Sequence, residues 1–286
     1  MTFDERIAIE TTREYLVVKS NTLVQKSRYE LSLAEQKTIA FICALIKPIN
    51  AVDRAKGVPF QLEYDFNIRD YCKVCGFDYD AGKNYADVKA TLKKLRDRSM
   101  WLELPDGSET TVGWLAKATT NKRSGIAKIK IDEDLVPYLF DLGQKFTQYQ
   151  LYNILAFKSA FSVRIYELLK SYAWNKSKTF DIEELKLLLG VENVKSYKEF
   201  APFRQKVLEV AEREINELSD LHISFETITK GRKVTGIKFY IKQKDAIDVL
   251  IAQAKTRELT DEEKEDYERK TVNAKQISID DYLAKK

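Results

Sequence analysis

The sequence predicts an α+β chain of two tandem winged-helix domains, each a helix-turn-helix followed by a β-wing, related by a pseudo-repeat. Three observations predict it. The segment FNIRDYCKVCG (66–76) reads against FDIEELKLLLG (180–190) at one offset, with Phe66 facing Phe180 and Gly76 facing Gly190. Helical stretches flank each copy. Each series then ends in two β-rich runs around a basic turn, TNKRSG or TKGRKVTG. An accidental α+β repeat, whose helices only build a core, would not need capping residue, glycine and basic hairpin to recur together.

In the first half an extra β-rich run, YLVVKSNTLV, comes first. LSLAEQKTIAFICALIKP follows as a helix, because Ser32 and Glu35 form a capping-box pattern and Pro48 follows the helical run. Its apolar positions Ile39, Ile42, Cys43 and Ile46 fall at helical spacing. Asn67 then caps a short helix, with Asp70 three positions on, and Gly76 suits the left-handed residue that ends it. NYADVKATLKKLRDRSMWLEL reads as a charged amphipathic helix running into β-type residues, and TTVGWLAKATTNKRSGIAKIKI as a hairpin.

The second half repeats the order. LYNILAFKSAFSVRIYELLKSYAW reads as one helix, with Ile154, Phe157, Phe161, Ile165, Leu168 and Leu169 on one face. Asp181 and Glu184 open the short helix and Gly190 closes it. The next helix spans roughly 200–217 and buries Phe203, Val207, Val210, Ala211, Ile215 and Leu218. HISFETITKGRKVTGIKFYIK is the second hairpin. The expected domains are 1–140, 141–243 and a charged tail, 244–286, read as a solvated helix followed by flexible chain.

With 44% hydrophobic and 32% charged residues in 286, the chain has the composition of a soluble globular protein. It contains no run of 18 apolar residues, and its N-terminus, MTFDERIAIETTREYLVVKS, lacks the apolar core of a secretory signal. Three cysteines do not make a disulfide framework, so a reducing cytosol is expected. The net charge of +4 is uneven: residues 244–286 hold nine Lys/Arg and eleven Asp/Glu, which leaves the excess of cations on residues 1–243. That balance permits a nucleic-acid partner.

Cys72 and Cys75 form a C-x-x-C, the spacing of redox sites and of half a zinc site. A zinc site needs two further ligands, and only Cys43 and the single histidine, His222, remain, so no metal is expected. In the repeat, Cys75 faces Leu189 and reads as a small buried residue, whereas Cys72 faces Lys186 and is expected nearer solvent. A rolling-circle nicking enzyme would need a metal-binding histidine cluster beside its tyrosine, which one histidine cannot supply. His222, placed among β-type residues, reads as structural, and no phosphate-binding G-x-x-x-x-G-K-[ST] occurs. Neither enzyme activity nor a cofactor is expected.

In a helix-turn-helix the second helix enters the major groove with its N-terminal part against the base edges. In the second half this leaves Arg204, Gln205, Lys206 and Arg213 outside, with Lys195, Ser196 and Lys198 in the approach. Arg pairs bidentately with guanine and Gln with adenine, so Arg204 and Gln205 are the candidates for base reading. The lysines Lys195, Lys198 and Lys206 suit phosphates, which give affinity rather than sequence choice. The wing tip offers Lys230, Arg232 and Lys233 around Gly231. In the first half Lys83, Asn84, Lys89, Lys93 and Lys94 line the equivalent helix, and Lys122 and Arg123 tip its wing. Two such units one helical turn apart would read an asymmetric site of about 20 base pairs.

SNTLVQKSRYELSLAEQKTIAFICALI, FSVRIYELLKSY and FRQKVLEVAEREINELSDLHISFETITKGRKVTGIKFYI resemble the plasmid replication initiator proteins of the Rep_3 (RepB/RepE-like) family, over about residues 15–243. The resemblance implies two winged-helix domains that bind repeated double-stranded origin sequences (iterons) as monomers. It implies dimers, formed through the first domain, that repress the initiator's own promoter. It also implies opening of an AT-rich segment and recruitment of host initiator and helicase. The family's recognition helix matches FRQKVLEVAEREIN, and its wing matches KGRKVTG. The residues alone leave open a winged-helix transcription regulator, which needs the same DNA-binding face.

Overall fold

The computed structural model describes residues 3–77, 81–142 and 145–256. The chain opens with α1 (Phe3–Arg13), β1 (Leu16–Ser20), α2 (Asn21–Lys26) and the two-residue β2 (Ser27–Arg28). Only half of YLVVKSNTLV is therefore strand: Ser20 accepts from Leu23 N at 3.1 Å and starts α2 instead. Next comes α3 (Leu33–Leu45), opened by the expected capping box, in which Ser32 Oγ accepts from Glu35 N and Ser32 N donates to Glu35 Oε2. Every residue from Glu35 to Ala44 is buried, so α3 is a central core helix.

After α4 (Ala51–Ala55), the first unit continues through β3 (Glu63–Asn67), α5 (Ile68–Cys75), α6 (Ala81–Asp97), β4 (Ser99–Glu103), β5 (Glu109–Gly113), β6 (Leu115–Asn121) and β7 (Ile126–Ile131). A bridging stretch holds α7 (Val136–Leu139), β8 (Phe146–Gln150) and α8 (Tyr152–Leu155). The second unit is α9 (Ala160–Ser171), β9 (Ser177–Asp181), α10 (Ile182–Leu188), α11 (Phe200–Phe203), a π-turn (Arg204–Leu208), α12 (Glu209–Leu218), β10 (Leu221–Lys230) and β11 (Lys233–Gln243). Helix α13 (Ala246–Thr256) packs on α8 and α12 with Ala252 buried. The remainder of the expected tail lies outside the described residues.

The pseudo-repeat is real at the level of hydrogen bonds. Asn67 Oδ1 accepts from Arg69 N and Asp70 N, and Asp181 Oδ1 from Glu183 N and Glu184 N. Both short helices end in the same way, with Phe77 N donating to Cys72 O and Val191 N to Lys186 O, past glycines at φ 68° and 66°. The sheets match as well. Their orders are β3-β7-β6 and β9-β11-β10, all antiparallel, with Phe66 opposite Ala127 and Phe180 opposite Ile237. Each unit is a winged helix: core helix, short helix, exposed helix and β-wing.

Several expectations need correction. The stretch from 151 to 174 is not one helix. It breaks at Ala156–Ser159, because Lys158 N and Ser159 N donate to the buried carboxylate of Glu214 and Ser159 caps α9 anew. Cys72 is not near solvent: its side chain is fully buried. Its repeat partner Lys186 is buried too, reaching back to Glu183 at 3.1 Å while its ammonium stands 5.9 Å from the Phe203 ring centre. The three cysteines are free and buried, and burial pushes the thiols of Cys43 and Cys72 up to about 11. His222 stands among strand residues, as expected, and is exposed on β10. The helix expected over 200–217 is interrupted by the π-turn.

The two units meet along α9, whose residues Ser162 to Leu169 are all buried. An antiparallel ribbon of β1 and β8 lies beside it, with Val17 opposite Tyr149. Two charged groups of α9 are central to this joint. Glu167 accepts from Lys19 at 2.5 Å and from the Tyr149 hydroxyl. Arg164 donates to three backbone carbonyls: Val24 at 2.8 Å, Ser27 at 2.7 Å and Leu188 at 3.2 Å. Gly190 completes the contact, since a Cβ there would lie 2.9 Å from Tyr29 O.

Candidate nucleic-acid interface

In the second unit the exposed helix is fixed from below by apolar packing and two polar anchors. Phe203, Val207, Leu208, Ala211 and Ile215 are buried, whereas Val210 and Leu218 are only half-buried. Glu214 holds the backbone at Lys158 and Ser159. Asn216 pairs twice with Ile223, donating to its carbonyl at 2.8 Å and accepting from its N–H at 2.6 Å. Those two bonds tie the helix to the first strand of its own wing, so helix and wing form one rigid surface.

The opposite face carries the sequence-predicted residues. Arg204, Gln205, Lys206 and Arg213 are exposed, and so are Lys195, Ser196 and Lys198 in the turn that precedes the helix. Lys195–Tyr197 forms a single 3₁₀ turn, which brings the three approach residues close to the helix start. The guanidinium of Arg204 is engaged within the protein: Nε donates to Glu209 Oε1 at 2.9 Å, and Cζ stands 6.0 Å from the Phe225 ring centre. Glu209 and Glu212 put acid on the same helix. Burial and the neighbouring Glu209 hold the Glu212 carboxyl above its ordinary value, against the pull of His222 and Arg204.

The wing tip is tight. Lys230 and Lys233 face each other across the two-residue turn Gly231–Arg232, with Gly231 at φ 64° and open space around it. All three cations are exposed.

The first unit repeats the arrangement with one exception. On α6, Lys83, Lys89, Lys93 and Lys94 are exposed on the side away from the buried Val88, Leu92 and Leu95. Lys93 pairs with Asp97 at 2.5 Å. Asn84 is the exception: it is buried, because it stands four and eight residues before Val88 and Leu92 and so shares their face. Its Nδ2 is buried without a hydrogen-bond partner. At the wing tip Asn121 Oδ1 accepts from Arg123 N and Ser124 N, holding Lys122 and Arg123 outward, and both are exposed.

Chemically, these are two donor-rich helix faces beside two cationic turns, which suits phosphates and the acceptor edges of purines. Among the described residues, no group of three or more His, Cys, Asp or Glu is placed to hold a metal ion, and no helix is long and apolar enough to cross a membrane. The anchors Glu214 and Asn216 and the partner Glu209 were not among the sequence candidates. An acid and an amide on a charged helix carry no spacing signal of their own.

Comparison with known proteins bears on this surface. The family model described as initiator replication protein, WH1, matches residues 16–170, and that described as initiator Rep protein, WH2, matches residues 181–241. A replication initiation protein of Escherichia coli is 27% identical over 248 residues, covering 83% of this chain and 72% of its own. An uncharacterized 27.6 kDa protein of the same organism is 23% identical over 161 residues, covering 54% of this chain and 66% of its own. Among solved structures, the Pi initiator protein in complex with iteron DNA superposes with a TM-score of 0.63 at 20% identity, over 82% of this chain and 99% of that one. At that identity the superposition speaks for the fold.

Proposed function

The chain belongs to the family of initiator replication proteins, and on that premise we propose that it is a sequence-specific double-stranded DNA-binding initiator of plasmid replication. It binds short direct repeats at an origin, the class of site named for its structural neighbour, with one winged helix in each of two successive major grooves. The observation that carries this reading is repetition: two units of one topology each set an exposed, cation-bearing helix beside a cation-tipped wing. Arg204 and Gln205 read bases, the lysines of both helices and their approach meet phosphates, and the wing cations reach the backbone or minor groove.

In the same reading, the chain works in the bacterial cytoplasm without a catalytic step of its own. It promotes opening of an AT-rich segment and brings host initiator and helicase to it, while dimers formed through the first unit repress its own promoter. The family supports these steps.

Footprinting on the cognate origin tests the DNA reading. Protection of direct repeats of about 20 base pairs is expected, and uniform protection would defeat it. Arg204→Ala should weaken specific binding by about 1–3 kcal/mol. A plasmid carrying the origin and this gene should replicate in a suitable host. Repression without replication would favour a winged-helix transcription regulator.

A further inference from the structure

Arg204 and Glu209 are five residues apart, a separation at which side chains of a regular α-helix do not meet, since helix neighbours are three or four apart. Here they do meet. The turn Arg204–Leu208 is π, with Glu209 N donating to Arg204 O. Such a turn takes in one residue more than an α-turn, so Glu209 stacks above Arg204 and its carboxylate accepts from Arg204 Nε at 2.9 Å. Phe225, on the first strand of the wing, stands beside the same guanidinium. Nε is thereby occupied, which leaves the two terminal amino groups as the end-on fork of the guanidinium.

The pair contributes little to folding. Its side chains are 54% and 45% exposed, and exposed ion pairs add at most about 1 kcal/mol. An acid also sits badly beside a phosphate backbone. Glu209 therefore weakens binding to every sequence, and its place over the fork points to a return in discrimination.

We propose that Glu209, set over Arg204 by the π-turn, is a positioning residue that aims the Arg204 fork at the O6 and N7 acceptors of one guanine. The proposal rests on the reading above, in which this helix lies in the major groove. Held by Glu209 on one side and by the Phe225 ring on another, Arg204 is kept from swinging to a nearby phosphate, where it would add affinity without sequence choice. The π-turn is the structural device, because a regular helix through 204–208 would turn Glu209 away.

The test uses the full-length protein on the repeat duplex and on duplexes in which each G·C pair is replaced in turn. Wild type, Glu209→Ala and Arg204→Ala are compared at one fixed salt, with melting curves to confirm that each is folded. Glu209→Ala, which removes both the charge and the acceptor for Arg204 Nε, should bind unrelated duplex several-fold more tightly, as a negative charge is lost. It should also lose about tenfold of the discrimination at a single G·C pair, the same pair at which Arg204→Ala loses it. A merely electrostatic Glu209 would tighten all duplexes equally and leave every discrimination ratio unchanged, and that result overturns the proposal while the reading of Arg204 stands. If Arg204→Ala keeps every ratio, the reading of Arg204 fails first and the proposal with it.

Discussion

Arg164 offers the sharpest quantitative check on the joint between the two winged helices. Arg164 is 3% exposed and its guanidinium donates to Val24 O, Ser27 O and Leu188 O, with Cζ 4.7 Å from the Tyr29 ring centre. Two acceptors lie in the segment leading into the first unit, and the third ends α10 of the second. Arg164→Met keeps much of the volume and removes all three donors. A buried acceptor left without a partner costs about 1–3 kcal/mol, so three give at least about 3 kcal/mol. The upper end is not reached, because Arg164 itself lines a cleft of 330 Å³, from which water can enter the place the guanidinium leaves. A loss of about 3–5 kcal/mol is therefore expected, read as a lower urea midpoint at an unchanged denaturant slope. Arg164→Lys, with one compact ammonium for three acceptors, should fall between the two. A loss below about 1 kcal/mol for Arg164→Met, or a lysine variant as stable as wild type, would show that the carbonyls do not depend on the guanidinium.

At the neighbouring pair, burial is the largest influence and alone would raise Glu167 and lower Lys19, but the partner's charge and hydrogen bond together with smaller effects of neighbours, Tyr149 and Arg164 for Glu167, outweigh it, so Glu167 is held below 4.5 and Lys19 above 10.5. The depressed carboxyl gives stability that is present above its unfolded value and lost as pH falls through its folded one; the raised ammonium gives stability lost only above 10.5. Glu167→Gln should cost about 3–5 kcal/mol at neutral pH and recover part of it as pH rises and the unpaired Lys19 deprotonates; a flat profile from urea midpoints would refute the coupling. Gly190→Ala should destabilise far more than Gly231→Ala: both glycines have positive φ, worth about 1–2 kcal/mol to a side chain, but only at Gly190 would the Cβ collide with Tyr29 and Glu30. Equal melting temperatures would contradict the close approach. Replacing Lys230, Arg232 and Lys233 by alanine should lower the salt slope of DNA binding by about 1 for each phosphate no longer neutralised, and an unaltered slope would remove this wing from the duplex.

The winged-helix repeat was legible because its signals are short-range. An asparagine or aspartate before a short helix and a left-handed glycine after it are decided within ten residues, and the two copies use them identically. The two-residue β2, and the pairings of β1 with β8 and of β4 with β5, were not read from the sequence. β2 and β8 find their partners far off in the chain, where pairing is set by tertiary packing rather than by pattern, whereas the β4–β5 hairpin carries a turn signal, Pro105-Asp106-Gly107, that was passed over. Polar residues on an apolar face were misplaced, as Asn84 was, or not singled out at all, as with Arg164 and Glu167. Asn84 stands on the stripe of Val88 and Leu92, and Arg164 and Glu167 lie on a helix buried all round, where no polar side remains to reveal the inward one.

The exposed cations of the two helices and wing tips could be placed from sequence because exposed lysines there need only the helical period and a turn glycine. Their partners could not. Asn216 acts through Ile223, seven residues on and across a reversal of chain direction. Glu209 acts through Arg204 across a turn that departs from the period every spacing argument assumes. The residues that make a surface cationic therefore follow composition, whereas those that aim a particular cation follow local geometry. A one-residue change of helical phase, invisible in the order of amino acids, is enough to turn an acid that merely weakens DNA binding into one that holds a guanidinium in place.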